Sequence, residues 1–413
     1  MKILHVIGSV DPRSGGPIEG ITRQVAARNT LGVTTHIASL DRPDDPWVAT
    51  SPAKTFALGV RSVVYAGLQH RVPWLRYRYT PHLVPWLRRH VRDYDIVVVN
   101  GLWNYSAFAA RRALIGIGVP YVVFTHGMLD PWFRKSYPVK HLAKQLFWWF
   151  SEGPLLANAR AVLFTTDEER DLARNEFWPY QVTEKVIGYG TADVRGSPEI
   201  QLVAFRAAVP ALGDRRFLLF LSRIHPKKGC ELLVEAFARI AREDPGIDLV
   251  IAGPDQIGWQ KDLMSLALEL QIADRIHWPG MLAGDAKWGA FRACDAFVLP
   301  SHSENFGIVV AEAMASGKPV LITNKVNVWK EVELCGGGLV ADNSVESVHT
   351  MLKSFLQLSD SEVSEMGRRA RAGFLKSFEI NSFVRAQLEF FESLVSEARR
   401  SGEFVALSRD SLC

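Results

Sequence analysis

Short apolar runs alternate with longer amphipathic segments in the first part of the chain. The runs lie at 3–7, 33–40, 95–100, 121–125 and 161–165. Runs of this length that are rich in Val, Ile and Phe predict buried strands, and the helical patterns between them predict a parallel sheet covered on both faces. A turn-rich loop at 8–20 follows the first run, and we expect a helix to begin near Ile21.

The same alternation starts again after a weakly patterned stretch with Gly and Pro at 188–214. Strands are predicted at 217–222, 248–252, 276–278, 296–299 and 319–323, and helices at 230–242, 263–270 and 306–316. The predicted fold class is therefore α/β, with two Rossmann-like domains facing across a cleft. We assign residues 1–200 to the first domain, 201–385 to the second, and 386–413 to a C-terminal helix and tail.

The composition is that of an ordinary globular protein. A net charge of +4 does not indicate nucleic acid, and the four cysteines form no CxxC pair, so neither a zinc site nor a disulfide framework is expected. No run approaches the roughly 20 apolar residues that span a bilayer. We therefore expect a cytoplasmic protein that meets a membrane only at its surface.

The most informative segment is SHSENFGIVVAEAMASGKPV at 301–320, which follows a predicted strand and opens a helix. Glu304 and Glu312 are eight residues apart, so both carboxylates can line one side of a cleft. Gly307 lets backbone approach a ligand closely, and amides at a helix start bind anions. The backbone amides assigned to such a ligand are those of Asn305, Phe306, Gly307, Ile308 and Val309.

A second segment, SRIHPKKG at 222–229, links a predicted strand to a predicted helix. Arg223 and Lys228 would stabilise the charge that grows on a diphosphate leaving group as a sugar bond breaks. The plainer alternatives are a solvated basic turn here, a helix-entry acid at Glu304 and a solvated helix residue at Glu312.

Together, Arg223-x4-Lys228-Gly229 and Glu304-x7-Glu312 resemble the retaining glycosyltransferases of family 4, which have the GT-B fold. The resemblance extends over nearly the whole chain. It implies that Arg223 and Lys228 bind the donor diphosphate, that Glu304 contacts hydroxyls of the transferred sugar, and that Glu312 contacts the nucleotide ribose. It also implies that the final helices cross back to the first domain.

The first domain agrees with this resemblance. Gly15 and Gly16 lie where the family has a Gly-rich loop near the diphosphate, and their spacing is not the GxGxxG of dinucleotide-binding enzymes. His126 follows a strand, where a family histidine contacts the donor sugar or the reacting centre; a lone histidine is otherwise usually structural. Asn100 and Trp103 end the preceding strand and are assigned to the acceptor side.

Recognition of the base is predicted at two further strand ends, through Gly253 and Pro254 and through Gly280 and Met281, although both segments also read as ordinary loops. The run Asp93-Tyr94-Asp95 has the form of a metal-binding DxD but precedes a strand, so it is interpreted as a structural turn. We expect no essential metal and no cofactor beyond the nucleotide-diphosphate sugar itself.

Two segments combine basic and aromatic residues: 46–92, which contains no Asp or Glu, and 134–150. Such segments suit the face of an anionic bilayer. The alternative is a helix that buries Phe147, Trp148 and Phe150 in the core. RNA would be bound by similar residues, but the donor-site motifs disfavour it.

The function predicted from the sequence is retaining hexosyl transfer to a lipid-linked oligosaccharide at the inner face of the inner membrane. The segment at 126–140 particularly resembles exopolysaccharide and O-antigen assembly enzymes. A nucleotide-sugar epimerase or hydrolase and a non-catalytic sugar-nucleotide-binding module remain as alternatives. The sequence does not name the base, the sugar or the acceptor, and GDP-mannose is one candidate donor.

Overall fold

The computed structural model describes residues 1–60, 77–132, 134 and 137–402. It divides into two compact units, one formed by Met1–Gly190 with the segment from Ile380 onward, and one formed by Thr191–Glu379. The predicted break at residue 200 is therefore misplaced. It would cut a helix at Pro198–Ala208, whose Gln201 carbonyl packs so closely on Gly289 that a Cβ there would lie 1.9 Å away.

Unit one contains a seven-stranded parallel sheet in the order β3-β2-β1-β4-β5-β6-β7. Its strands are β1 Lys2–Ile7, β2 Thr34–Ser39, β3 Lys54–Ala57, β4 Ile96–Asn100, β5 Tyr121–Phe124, β6 Ala161–Phe164 and β7 Glu184–Val186. The five predicted strands are present within one or two residues at each end. The two edge strands, β3 and β7, were not predicted because they are short and only partly buried.

Helices cover this sheet, and the core is formed by the apolar strand residues and the helix faces turned to them. The helices are α1 Gly16–Thr30, α2 Pro46–Ala49, α3 Leu83–His90, α4 Tyr105–Leu114, α5 Pro138–Phe147, α6 Gly153–Ala157 and α7 Asp167–Ala173, with a π-helical turn at Trp148–Glu152 between α5 and α6. Helix α1 begins at Gly16, earlier than predicted, because Pro17 fits the first turn of a helix.

The last helix, α16 (Ile380–Arg400), returns to unit one and packs along α1. Tyr189 and Phe383 bring their rings to 6.2 Å, and Arg399 donates to Asp95 at 2.8 Å. The return follows the expectation drawn from the family resemblance, although the helix starts at Ile380 instead of residue 386. The predicted tail at 403–413 lies outside the described residues.

Unit two contains a six-stranded parallel sheet in the order β10-β9-β8-β11-β12-β13. Its strands are β8 Arg216–Leu221, β9 Ile247–Ala252, β10 Ile276–Gly280, β11 Ala296–Leu299, β12 Val320–Thr323 and β13 Gly338–Ala341. Its helices are α8 Pro198–Ala208, α9 Cys230–Glu243, α10 Gln260–Glu269, α11 Gly284–Ala293, α12 Ile308–Ala315, α13 Trp329–Cys335, α14 Val345–Leu356 and α15 Asp360–Ser377.

Each sheet has one place where the strand order reverses direction. In unit one it lies between β1 and β4, and in unit two between β8 and β11. Loops leave such adjacent strands toward opposite faces of the sheet, so a crevice opens at their carboxyl ends, and ligands of open α/β sheets bind there. Both units are Rossmann-like, as predicted. Asn100 ends β4 at the first of these places, and Lys228 and Glu304 follow β8 and β11 at the second, whereas His126 follows β5 and Gly253 follows β9.

Candidate active site

In unit two the Lys228 ammonium contacts a carboxylate oxygen of Glu304. Lys228 ends the 3-10 turn Pro226–Lys228 after β8, and Glu304 lies in the loop after β11. Strands β8 and β11 are neighbours, so their carboxyl-end loops lie side by side. The structure therefore brings together the cation and the acid that the two sequence motifs predicted.

Backbone pairing fixes the Glu304 loop. The Glu304 amide donates to the Lys325 carbonyl at 2.8 Å, and the Asn327 amide donates to the Glu304 carbonyl at 3.0 Å. Gly307 then turns the chain into α12 with φ of +68°, and a Cβ there would lie 3.2 Å from Glu304 and Val326. Only glycine adopts this conformation readily, so the turn that presents Glu304 depends on Gly307.

The Lys228 side chain is largely buried at the end of β8, whereas Arg223 on the same loop is exposed. Burial lowers the pKa of Lys228 to about 7, with contributions in the same direction from Arg223 and Lys227. The Glu304 carboxylate acts in the opposite direction, because an adjacent negative charge favours the protonated amine. The result is a concentration of positive charge with one carboxylate to balance it.

A further ion pair holds the two loops together. His302 donates its backbone amide to the Lys227 carbonyl at 2.9 Å, and its Nε2 lies 2.5 Å from Glu231 Oε1 on α9. The Glu231 carboxylate raises the pKa of His302. The sequence interpretation missed His302, although it lies between the two predicted motif residues Ser301 and Glu304.

Glu312 lies on α12 and is 1% exposed, so it is not the solvated helix residue of the plainer alternative. Its Oε1 accepts from Lys287 Nζ at 2.7 Å. Lys287 comes from α11, a helix that was not predicted, and it is a second residue that the sequence interpretation missed. A buried carboxylate needs a nearby cation, so a partner for Glu312 could have been expected. The sequence alone does not show which lysine is that partner.

The other residues predicted at the start of α12 differ in what they present. Phe306 is 6% exposed and packs edge-on against Phe378 at 5.4 Å, so its side chain belongs to the core, and the ligand contact assigned to its backbone amide stays a prediction. Ile308 and Val309 form the first turn of α12 and are partly exposed. Asn305 Oδ1 is buried without a hydrogen-bond partner among the described residues.

In the segments predicted to read a base, several backbone groups pair with neighbouring strands, and recognition of the base stays a prediction. The Pro254 carbonyl accepts from the Ile224 amide at 3.0 Å, and the Gly253 amide donates to the Gly280 carbonyl at 2.8 Å. A Cβ on Gly253 would lie 1.7 Å from the Ser222 carbonyl oxygen. These groups continue strand pairing past the strand ends, whereas Met281 next to them is 71% exposed.

In unit one, His126 follows β5 in the left-handed conformation, with φ of +51°. Its ring stacks on Phe124 at 4.4 Å, and its Nε2 lies 3.2 Å from Asn100 Oδ1. Burial lowers the pKa of His126 to about 3, so the ring is neutral. Glu169 fixes the next residue, because its carboxylate accepts the Gly127 amide at 2.8 Å. Gly15 and Gly16 begin α1 after strand β1, which β4 separates from β5.

The assignment of Asn100 and Trp103 to the acceptor side stays a prediction. Asn100 is 3% exposed, and its amide is engaged by His126 and by backbone carbonyls. Trp103 donates its indole N–H to the Met128 carbonyl at 3.3 Å and packs on Phe177. Both residues support the strand end that carries His126.

Comparison with known proteins decides the family. Residues 204–373 match the family model described as glycosyl transferases group 1, and residues 15–190 match the glycosyl transferase 4-like domain. The chain belongs to these glycosyltransferases. The two matches fall on the two units, so the resemblance inferred from Arg223, Lys228, Glu304 and Glu312 is confirmed.

Curated relatives of this glycosyltransferase are named D-inositol 3-phosphate glycosyltransferase. The protein from Saccharomonospora viridis is 33% identical over 177 residues, which are 41% of this chain and 41% of that protein. The protein from Geodermatophilus obscurus is 29% identical over 251 residues, 59% of this chain and 55% of that protein. The matched region thus spans about half or less of each relative's length.

Solved structures of similar fold cover the glycosyltransferase almost completely. Anabaena HepE in complex with UDP and glucose has a TM-score of 0.73 at 18% identity, covering 95% of this chain and all of that one. Sucrose-phosphate synthase from Thermosynechococcus elongatus also has a TM-score of 0.73 at 18% identity, covering 96% of this chain and 99% of that one. The fold is therefore GT-B, as predicted.

The DxD-like run of the glycosyltransferase lies at the amino end of β4. Asp95 accepts the Lys2 amide at 2.8 Å and pairs with Arg399, so it joins β1 and α16 to the strand start. Across the described ranges, no group of three His, Cys, Asp or Glu side chains could hold a metal ion. The absence of a metal requirement stays a prediction.

One surface of unit one of the glycosyltransferase exposes large apolar side chains beside lysines. We call this surface the α5 face. It consists of Val139, Leu142, Leu146, Phe147, Trp149, Phe150 and Trp178, with Lys140 and Lys144. Phe147 is 48% and Phe150 73% exposed, so the alternative that buries them in the core is wrong; only Trp148 of the three is buried.

The α5 face contains the described part of the second basic–aromatic segment. Within the first such segment, Arg61, Arg71, Trp74 and Arg76 lie outside the described residues, as does Lys135 of the second. Of the helices in the described ranges, none is both long enough and apolar enough to cross a bilayer.

Proposed function

We propose that the protein transfers a hexose from a nucleotide-diphosphate sugar to a saccharide acceptor, with retention at the anomeric carbon. The contact between Lys228 and Glu304 carries this proposal. It unites a buried cation suited to a diphosphate and a carboxylate suited to sugar hydroxyls at the switch point of one sheet. Glu312, paired with Lys287, is the residue proposed to bind the ribose.

The proposed chemistry is a front-face displacement. The bond between the anomeric carbon and the diphosphate oxygen breaks, and the acceptor oxygen forms the new bond from the same side. The acceptor proton passes to the departing diphosphate. Lys228 and Arg223 would stabilise the growing negative charge, and the diphosphate would displace Glu304 from the Lys228 ammonium. Cations of the chain would then do the work that a metal does elsewhere, so no metal is required.

A carboxylate nucleophile would be the alternative route to retention. The Gly127 amide, next to His126, donates to the carboxylate of Glu169, which is 5% exposed and also accepts from Thr125 and Thr165. A carboxylate held in this way is a structural group and a poor nucleophile. This supports the front-face route, in which His126 contacts the sugar without forming a covalent intermediate.

The donor base is open between uracil and guanine. Similar structures were solved with UDP and UDP-glucose, which favours a uridine donor. GDP-mannose remains the candidate from the sequence. A segment of exposed, adaptable backbone around Met281 gives no preference between them.

The α5 face supports an acceptor that is attached to a membrane. Its exposed aromatic and aliphatic side chains with adjacent lysines suit an anionic bilayer surface. We therefore propose a lipid-linked oligosaccharide in bacterial surface polysaccharide synthesis, with the enzyme on the inner face of the inner membrane. The names of the curated relatives favour a second candidate, an inositol phosphate acceptor.

The test begins with thermal unfolding in the presence of UDP, GDP and ADP, because a ligand that binds only the native state raises its stability. The sugar nucleotide of the best base is then incubated with membrane extract or with inositol phosphate. We expect glycosylated lipid with a retained anomeric configuration and unchanged activity in EDTA. Release of free sugar alone would favour a hydrolase, an interconverted donor sugar an epimerase, and binding without turnover a non-catalytic module.

A further inference from the structure

A chain of buried polar side chains leads from the last helix to His126, all within unit one. It runs from Gln387 on α16 to Arg28 on α1, to His5 on β1, to Asn100 at the end of β4, and to His126. Arg28 is fully buried, and His5, Asn100 and Gln387 are each at most 3% exposed. Apolar side chains would occupy these buried positions at a lower desolvation cost, so this series of polar side chains needs an explanation.

The Arg28 guanidinium contacts two glutamine oxygens and one histidine ring nitrogen. Its Nη2 donates to Gln24 Oε1 at 2.8 Å and to Gln387 Oε1, and its Nη1 lies 2.7 Å from His5 Nε2. Arginine has donors only, so the bond to His5 requires the lone pair of that ring nitrogen. Burial and the Arg28 charge lower the pKa of His5, which keeps the ring neutral.

His5 faces a second donor on its other side. Asn100 Nδ2 lies 3.1 Å from His5 Nδ1 and donates to the Val98 carbonyl at 3.0 Å. A neutral imidazole has one lone pair and one N–H. Arg28 and Asn100 are both donors here, so they compete for the one lone pair of His5. The donor that does not receive this lone pair faces the ring N–H.

The competition has two outcomes, each with one proton on each ring. When Asn100 keeps the lone pair, its oxygen faces His126, and His126 carries its proton on Nε2. When Arg28 takes the lone pair, the His5 proton lies on Nδ1. Asn100 can then turn its oxygen toward this proton, and it gives up the bonds of its nitrogen to the Val98 and Val6 carbonyls. The Asn100 amide nitrogen then donates to His126 Nε2, and the His126 proton lies on Nδ1.

We propose that Arg28 is a positioning residue that sets the tautomer of His126 through His5 and Asn100. His126 Nε2 is engaged by Asn100 in both arrangements, so Nδ1 is the ring nitrogen left for a ligand. The hydrogen bonds from Arg28 to His126 thus determine whether His126 Nδ1 is a hydrogen-bond donor or an acceptor toward a sugar hydroxyl. This inference rests on the proposed function for its meaning, but the tautomer itself is measurable without any substrate.

The Arg28 bond is charge-assisted and the competing Asn100 bond is neutral, so Arg28 favours the Nδ1-protonated form of His126. Long-range 1H–15N correlation spectra of the full chain with labelled histidine report the tautomer, and a His126→Ala variant assigns the signal. We expect Arg28→Met to shift His126 toward the Nε2-protonated form. Gln387→Leu, a milder change that keeps Gln24 as an acceptor, should shift it the same way. An unchanged His126 signal in both variants would overturn the proposal.

A matched variant distinguishes the effect on the His126 tautomer from a general loss of stability. Arg275→Met removes an arginine from Asp248 in unit two, whereas the buried polar side chains that lead to His126 all lie in unit one. This variant should leave the His126 spectrum unaltered. With a donor found by the nucleotide screen, Arg28→Met should lower turnover about tenfold, as loss of a histidine's supporting partner does at metal sites. In a His126→Ala background the same change should have no further effect, whereas additive losses would contradict the coupling. If His126→Ala itself keeps full turnover, the proposed role of His126 fails while the spectra still decide the tautomer.

Discussion

The Glu304 carboxylate contacts the ammonium of Lys228, a residue 76 positions earlier in the chain. This contact joins the loops that follow the neighbouring strands β8 and β11. Glu304 balances part of the positive charge concentrated around Lys228 and Arg223. A bound diphosphate would bring more negative charge than one carboxylate. The Glu304 carboxylate favours the protonated form of Lys228 and holds its ammonium at the end of β8.

Lys228→Ala should reduce turnover by a factor of about 100 to 1000, because it removes a cation from the charge that develops on the leaving group. The fold should survive, since the lysine lies in a loop at the edge of the sheet. Initial rates at saturating donor, with thermal unfolding in parallel, measure both effects. Lys227→Ala, one residue earlier, is the matched control and should retain most activity. Near-normal turnover in Lys228→Ala would refute the assignment.

Lys287→Met should destabilise unit two by about 3 kcal/mol, because it leaves Glu312 buried without its cation. Urea unfolding measures the loss. Adding Glu312→Gln to the variant should recover much of the stability, since the uncompensated charge is then gone. If Lys287→Met were as stable as the wild type, the pair would not be the support of Glu312 that the structure indicates.

The pair of His302 and Glu231 should make stability depend on pH. Glu231 raises the pKa of His302 in the folded protein, so the folded state binds the His302 proton more tightly than the unfolded state. The stabilisation is complete below the unfolded pKa of about 6.5 and is lost as pH rises through the folded value. Urea midpoints of the wild type minus those of Glu231→Gln should therefore fall between mildly acidic and mildly alkaline pH. A difference that stays constant over this range would exclude the pairing.

The α5 face should bind vesicles that contain phosphatidylglycerol more tightly than vesicles of phosphatidylcholine alone. A basic residue near an anionic surface contributes about 1 kcal/mol, so Lys140→Ala should weaken binding about fivefold. Leu146→Ser with Phe150→Ser should weaken it further by removing exposed apolar area. Leu268→Ser with Leu334→Ser changes unit-two side chains that are 70% and 87% exposed, against 51% and 73% for Leu146 and Phe150, and co-sedimentation of that variant should match the wild type.

Much of the fold is determined by the sequence read locally. Buried parallel strands are continuous apolar runs, so the central strands such as β4 and β11 were predicted within a residue or two. The edge strands β3 and β7 were missed because one side of each has no partner and their burial is slight. The motifs around Lys228 and Glu304 were recognisable because their chemistry depends on residue type and spacing.

The tertiary structure decided which side chains meet. Nothing in the sequence pairs Glu312 with Lys287, or places Arg28 against His5 and Gln387. Nor did the pattern show that Phe306 is core while Phe150 is exposed, because both are apolar residues next to a helix. Local sequence determines the strand, the helix and the turn, since these depend on neighbours along the chain. The partner of a buried charge depends on strand order and helix packing, and these bring together residues that are 23, 25 and 359 positions apart in the three pairs named above.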